Sequence, residues 1–110
     1  AVGHVTIKQD RPQWVRTGVT AILPHNENLA LEAVYASASV LNGNGEMTGL
    51  ATIDHTGLLN SPIVLTNTPN VGSAHTGVHT YMRQQYGDAW QGQLPVVAEC
   101  WDGVYNTLTY

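Results

Sequence analysis

Leu94-Pro95-Val96-Val97-Ala98-Glu99-Cys100-Trp101-Asp102-Gly103 is the stretch whose reading decides the architecture of this chain. A proline stands near its start and an apolar, β-branched run follows, the composition of a buried strand. The run then closes on a carboxylate, a thiol, an indole, a second carboxylate and a glycine. A buried strand that releases polar groups at its C-terminal end is a common way to build a site, because the sheet holds those side chains still. On a strand, Glu99 and Trp101 share one face and Cys100 takes the other. Asp102-Gly103 reads as the turn that ends the run.

Working outward, the spacing of Val71, Ala74, Val78, Tyr81, Met82 and Gln85 makes one apolar stripe at helical period, which predicts a helix over residues 71–86. Asn70 stands where a helix cap belongs, and Gly87 where a C-terminal glycine belongs. Before it, residues 62–65 read as a short buried strand running into Thr66-Asn67-Thr68-Pro69. Asn67 and Thr68 are placed to satisfy free backbone groups at that strand end, a supporting role rather than a catalytic one. Residues 2–7 and 14–23 read as strands, separated by the polar turn Gln9-Asp10-Arg11-Pro12. Gly18, inside the second, marks a bulge or a close backbone approach. Residues 24–28 form a loop, 33–41 a third strand, and Asn42-Gly43-Asn44-Gly45 a turn. Residues 47–59 are ambiguous, a short helix with Gly57 near its end being one reading. The resulting order, β-β-β-(α)-β-α-β, suits an α/β or α+β layered fold with much of its sheet buried.

At 110 residues the chain makes one domain at most. Charged residues are 11% of it, against a usual share of about 25%. So little charge implies that part of the surface is meant to be covered, and a larger protein or an assembly is expected. With four basic and eight acidic residues and no basic cluster, nucleic acid is not an expected partner. No stretch is apolar enough to span a membrane, so no membrane is expected. No signal peptide opens the sequence, which favours cytoplasm over periplasm, and no initiator methionine begins it. The chain reads as a fragment or a processed piece, one partial domain over residues 1–110.

Three local patterns invite chemistry and fall short. In Asn42-Gly43-Asn44-Gly45-Glu46-Met47-Thr48-Gly49 the third glycine is one place too late for a dinucleotide fingerprint, and no lysine follows for a phosphate loop. That turn does leave Glu46 and Thr48 in position to face a pocket. His75 and His79 share a helix face, yet Thr76 stands where a zinc protease needs glutamate, so no metal is expected. Cys100, a lone cysteine beside an apolar run with no positive neighbour, reads as packing rather than as a nucleophile.

Four blocks taken together resemble one family. They are Val15-Arg16-Thr17-Gly18-Val19-Thr20-Ala21-Ile22-Leu23-Pro24, Asn42-Gly43-Asn44-Gly45-Glu46-Met47-Thr48-Gly49, Pro62-Ile63-Val64-Leu65-Thr66-Asn67-Thr68, and Leu94-Pro95-Val96-Val97-Ala98-Glu99 with Trp101-Asp102-Gly103. In this order the chain resembles the N-terminal part of the L-aminopeptidase D-esterase/β-peptidyl aminopeptidase family. The resemblance implies an α+β fold, a four-layer αββα sandwich, of which this would be the N-terminal portion of the larger subunit. It implies a precursor that cuts itself before an internal serine or threonine, whose freed amino group then acts as general base. That nucleophile would lie outside this chain, so no catalytic residue is expected here and the chain alone should be inactive. The companion chain bearing the N-terminal Ser or Thr, a homo-oligomer of αβ units and a small peptide, amide or ester substrate are the implied partners. No cofactor is implied.

The resemblance also assigns site residues. Trp101 falls at an aromatic position that contributes to the active site in relatives, although an indole only donates where a tyrosine hydroxyl also accepts. Cys100 replaces a threonine. Beyond Gly103 only Asn106 keeps the family pattern, and it is counted as site support with Glu46, Asn67 and Thr68. Glu99 is the acid best placed to hold a substrate ammonium, with Trp101 walling the pocket. A structural pair with Arg16 is the competing role for Glu99, and Asp102 is the competing acid. A related acyltransferase of the ornithine acetyltransferase kind, and a non-catalytic assembly domain, are the alternative functions.

Overall fold

The computed structural model describes residues 1–105. In chain order these form β1 (Val2–Gln9), β2 (Val15–Ile22), β3 (Val34–Tyr35), α1 (Leu50–Thr56), β4 (Leu58–Leu59), β5 (Ile63–Asn67), α2 (Val71–Tyr86) and β6 (Val96–Cys100). The main sheet runs β1-β2-β5-β6, and β3 with β4 makes a separate two-stranded ribbon. β1 and β2 are antiparallel in unbroken register from Val2 opposite Ile22 to Gln9 opposite Val15. β5 is antiparallel to β2 and parallel to β6. A parallel neighbour needs a crossover, and α2 supplies it. The architecture is α+β.

The two faces of the sheet are packed differently. Val19, Ala21, Val64 and Val97 face α2, whose Val78 and Met82 are buried against them together with Trp90, Leu29 and Ala30. On the opposite face Ile63 and Val96 pack with Ile53 of α1, Leu59, Val34, Ala36 and Met47. Complete burial of a side chain such as Met82 or Val97 contributes roughly 1.5–3 kcal/mol each. The indole of Trp90 spends its one donor on Nδ1 of His79, at 3.2 Å.

Helix α2 has the predicted limits because its apolar stripe ends at Gly87, which takes a positive φ of 56° and returns its N–H to the Arg83 carbonyl. Asn70 stands at the cap position without capping; its amide donates to Oδ1 of Asn67, 2.8 Å away. Gly57 ends α1 with φ 69° and an N–H donated to the Ile53 carbonyl. Gly18 is a close approach rather than a bulge, since Thr6 pairs with it in register. A Cβ there would lie 2.6 Å from the Val5 carbonyl oxygen and 2.9 Å from the His4 ring.

One expected element is not formed as read. Of the strand expected over residues 33–41, only Val34–Tyr35 pairs; Tyr35 is itself exposed, and beyond it Val40 and Leu41 are exposed as well. Alternation alone does not make a strand. β4 offers this segment only Leu58 and Leu59 as partners. Leu29, in contrast, directly follows the loop read over residues 24–28 and is 1% exposed, folded inward by a turn that His25 holds through the Glu32 carbonyl at 2.6 Å.

Candidate active site

The carboxyl ends of the parallel strands β5 and β6 lie side by side, Thr66 opposite Glu99 and Asn67 opposite Cys100. Helix α2 begins just beyond, after a 3₁₀ turn over Thr68–Asn70. Carboxyl ends of parallel strands, with a crossover helix starting beside them, are where open α/β sheets gather ligands. Every candidate site residue in the described chain falls at or near this end.

Glu99 is half-buried on the face that also carries Thr66 and Val97. It is held from both directions. On one side β6 pairs with β5, and on the other the segment 46–48 runs antiparallel along it, with Met47 bridging Ala98. The Glu99 N–H donates to the Glu46 carbonyl at 3.0 Å, and the Thr48 N–H to the Val97 carbonyl at 2.9 Å. The Thr48 hydroxyl accepts the Val97 N–H at 2.9 Å and donates to the Pro95 carbonyl at 2.7 Å. The β6 N-terminus is anchored in the same manner by Ser61, whose buried hydroxyl accepts the Val96 N–H at 3.2 Å. The Glu99 side chain then rests against Gly45: a methyl on that glycine would come 2.7 Å from Oε1.

The corner after β6 is fixed too. Tyr105 donates its N–H to the Asp102 carbonyl at 2.8 Å, closing the turn expected at Asp102-Gly103. The Asp102 carboxylate accepts the Thr17 hydroxyl from β2 at 2.5 Å. Asp102 thus serves the corner with its side chain as well as its backbone.

Arg16 does not pair with Glu99. Its guanidinium bonds Asp10 at 2.5 Å, donates to the Gln9 and Val15 carbonyls, and lies 3.7 Å from the centre of the Trp14 ring. That hydrogen bond, and then the charge behind it, holds the Asp10 carboxyl below its ordinary value. Among the described residues this is the one ion pair, which leaves the structural role weighed for Glu99 without its partner.

Asn67 is 3% exposed, and its Oδ1 accepts from Asn70 and, at 3.4 Å, from the Thr66 hydroxyl. It joins the end of β5 to the start of α2. Its Nδ2 finds no partner among the described residues. Thr68 is exposed at the start of the turn. Glu46 is exposed as well, and its Oε1 only accepts the N–H of Met47, so it reaches Glu99 through its backbone carbonyl rather than its carboxylate. Trp101 is 62% exposed and lies past the end of β6, where strand alternation no longer dictates its direction. Cys100 is exposed, not packed, because it ends the strand on the face away from α2. Asn106 lies outside the described residues.

Between α2 and the β1–β2 half of the sheet opens a groove of about 810 Å³. Ile7, Val19, Ala21, Val64 and Val78 make its body, and Thr17, Thr66 and Asn67 its polar end. Tyr81 also lines it, its phenol raised above the ordinary value by burial and secondarily by Tyr86. No group of three or more His, Cys, Asp or Glu gathers to hold a metal among the described residues. No helix there is long and apolar enough to cross a membrane.

Sequence reasoning did not single out Gly45, Thr17 or Ser61 as site residues. Their partners lie far along the chain, 85 positions for Thr17 and 35 for Ser61, and no local pattern signals such pairs.

The sequence profile of peptidase family S58 matches residues 1–110. The beta-peptidyl aminopeptidase BapA of Sphingosinicella microcystinivorans is 38% identical over 95 residues, covering 86% of this chain and 23% of that protein. The PH0078 protein of Pyrococcus horikoshii OT3 superposes with a TM-score of 0.90 at 38% identity, over 98% of this chain and 33% of the other. An L-aminopeptidase D-Ala-esterase/amidase of Ochrobactrum anthropi, described as a serine aminopeptidase with a variant Ntn-hydrolase fold, superposes with a TM-score of 0.87 at 40% identity, over 97% of this chain and 32% of that one. The chain therefore spans about a quarter of the length of the curated relatives it matches.

Proposed function

This chain belongs to peptidase family S58, and from that premise we propose that it is the N-terminal portion of the larger subunit of a self-processing aminopeptidase or amidase. The enzyme releases N-terminal amino acids, of L, D or β type, from short peptides, amides or esters. Its nucleophile is the N-terminal serine or threonine of a companion chain, activated by its own amino group. The present chain supplies the part of the site that receives the substrate's free amino group and is inactive alone. Glu99 binds that ammonium, Trp101 walls the pocket, and Asn67 supports the strand end.

The observation that carries this reading is the placement of Glu99. It is half-buried at the carboxyl end of a strand paired on both edges, and its expected structural partner Arg16 is engaged with Asp10. A partly desolvated carboxylate with no cationic partner among the described residues attracts a substrate ammonium more strongly than a surface one does. The apolar groove beside α2 and Val5, 64% exposed on the same face, leave room for a further element beside α2 in the layer that covers this side of the sheet, as a piece of a larger layered fold would. Relatives that bear aminopeptidase names favour the hydrolase over the acyltransferase.

The test uses the complete enzyme. Mass and N-terminal sequence of its chains should reveal a companion beginning with serine or threonine, and an aminoacyl amide should turn over far faster than its desamino analogue. Equal turnover of the two amides would refute the aminopeptidase reading.

A further inference from the structure

The missing side chain of Gly45 is what gives the Glu99 carboxylate its seat. The positive-φ glycines of the described chain are Gly49, Gly57, Gly87 and Gly92. Gly45 is not among them, so its backbone would accept alanine without strain. Space is the constraint instead. A Cβ at this position would stand 2.7 Å from Glu99 Oε1, 3.4 Å from its Cγ and 3.5 Å from its Cδ. The obstructing atom is the far end of a flexible side chain, so the clash moves the carboxylate and leaves the fold alone. The surrounding segment does not yield, because residues 46–48 are hydrogen-bonded along β6 through the Glu46 carbonyl and both polar groups of Thr48. Glu99 itself is anchored at its backbone N–H by Glu46. Only its side chain is free to move.

We propose that Gly45 is a positioning residue that sets substrate specificity: by leaving room for the Glu99 carboxylate, it fixes the distance between the ammonium subsite and the attacked carbonyl. This inference rests on the ammonium-binding reading of Glu99. The chemistry that makes distance matter is simple. In an α-amino acyl group one carbon separates the amine from the carbonyl, and in a β-amino acyl group two do. A carboxylate seated at one distance from the attacked carbonyl meets one spacing better than the other, and displacing it changes their ranking.

The experiment measures kcat/KM of the complete, processed enzyme for matched α- and β-aminoacyl amides and for a desamino amide. Gly45→Ala should change the ratio of the two amino substrates on the order of tenfold, a part of what one charge-assisted hydrogen bond supplies. Turnover of the desamino amide should stay within about twofold, since it never used that bond. Gly43→Ala is the control, because a Cβ there meets nothing within 4 Å, and it should leave the ratio unchanged. Glu99→Asp withdraws the carboxylate by one methylene, so Gly45→Ala combined with Glu99→Asp should restore the ratio toward its original value.

An unchanged ratio in Gly45→Ala, an equal fall for all three substrates, or the same shift in Gly43→Ala overturns the proposal. If Gly45→Ala does not accumulate as folded enzyme, Glu99→Asp alone reads the same geometry, and an unaltered ratio in it is equally fatal. Failure of the underlying reading looks different: Glu99→Gln would then affect amino and desamino substrates alike.

Discussion

The hydroxyl of Thr17 on β2 donates to the carboxylate of Asp102 at 2.5 Å, joining residues 85 positions apart in the chain. The bond ties the corner that carries Trp101 to the opposite side of the strand pair bearing Glu99 and Asn67. Because Asp102 is charged, the bond belongs to the stronger class. Thr17→Val keeps the shape and removes the donor, and it should lower stability of the complete enzyme by about 1–3 kcal/mol. Denaturant unfolding checks this, with Thr17→Ser expected to recover most of the loss. A Val variant as stable as the parent would show that the carboxylate finds an equivalent donor elsewhere.

Gly18 is the position where a methyl group is least tolerable. The atom it would meet at 2.6 Å is the backbone oxygen of Val5, held in register by the β1–β2 ladder, and the His4 ring closes the other side. His4 itself is fixed by Thr20 Oγ1 at 2.7 Å and Thr6 Oγ1 at 3.1 Å. Gly18→Ala should therefore cost about 1–3 kcal/mol, the usual range for overpacking. Thermal unfolding of this variant beside Gly3→Ala, which meets nothing within 4 Å, separates crowding from the loss of a glycine.

Asn67→Ala should lower stability or self-processing rather than remove turnover from an otherwise intact enzyme. Its Oδ1 accepts from Asn70 and Thr66 in a site almost closed to water, and removing it takes away that shared acceptor at about 1–3 kcal/mol. The measurement is the fraction of precursor processed, set beside the unfolding midpoint. A variant that folds and processes normally yet fails to turn over would move Asn67 from support to catalysis.

Burial raises the Tyr81 phenol, and Tyr86 adds to it. A raised acid is one whose neutral form the fold prefers. Its contribution is complete below the unfolded value, which is about 10, and is lost as pH rises through the folded value. Stability should thus decline on the alkaline side, and Tyr81→Phe should decline less steeply there while matching the parent near neutrality. Denaturation midpoints across that alkaline range decide it; identical slopes would dissociate Tyr81 from the effect.

How much of this was legible in the sequence depended on whether the signal was local. Helix α2 was read to its limits because its stripe lies within it and Gly87 stands directly at its end. The strand ending at Cys100 was legible from its apolar run, and family membership from four short blocks in order. Ala36 to Leu41 misled, because alternation reports a side chain's neighbours in sequence and not whether another strand is present to pair. Leu29 was missed for the converse reason, being an apolar residue just after a polar loop, in a turn that a histidine folds inward. At the site, Glu99 could be read as the acid ending a rigid strand. Its seat on Gly45, its backbone bond to Glu46 and the Thr17–Asp102 tie are contacts between distant segments, which no spacing encodes.

Glu99→Gln is the central test of the ammonium subsite. The substitution keeps size and removes charge, so the strand, the Glu46 carbonyl bond and the seat on Gly45 remain. What it deletes is attraction for a cation in a half-buried setting, where screening is weaker than at the surface. In the processed enzyme, kcat/KM for an amino-terminal amide should fall by the equivalent of roughly 1.5–3 kcal/mol, the range for a hydrogen bond to a charged group. The same amide without its amino group should be turned over as before. Arg16 offers no escape from this test, because its charge is already committed to Asp10. A loss shared equally by both substrates would mean that Glu99 orients the site as a whole. No loss for either would mean that another acid holds the amine, and Asp102, tied to Thr17 at the same corner, would be the next to examine.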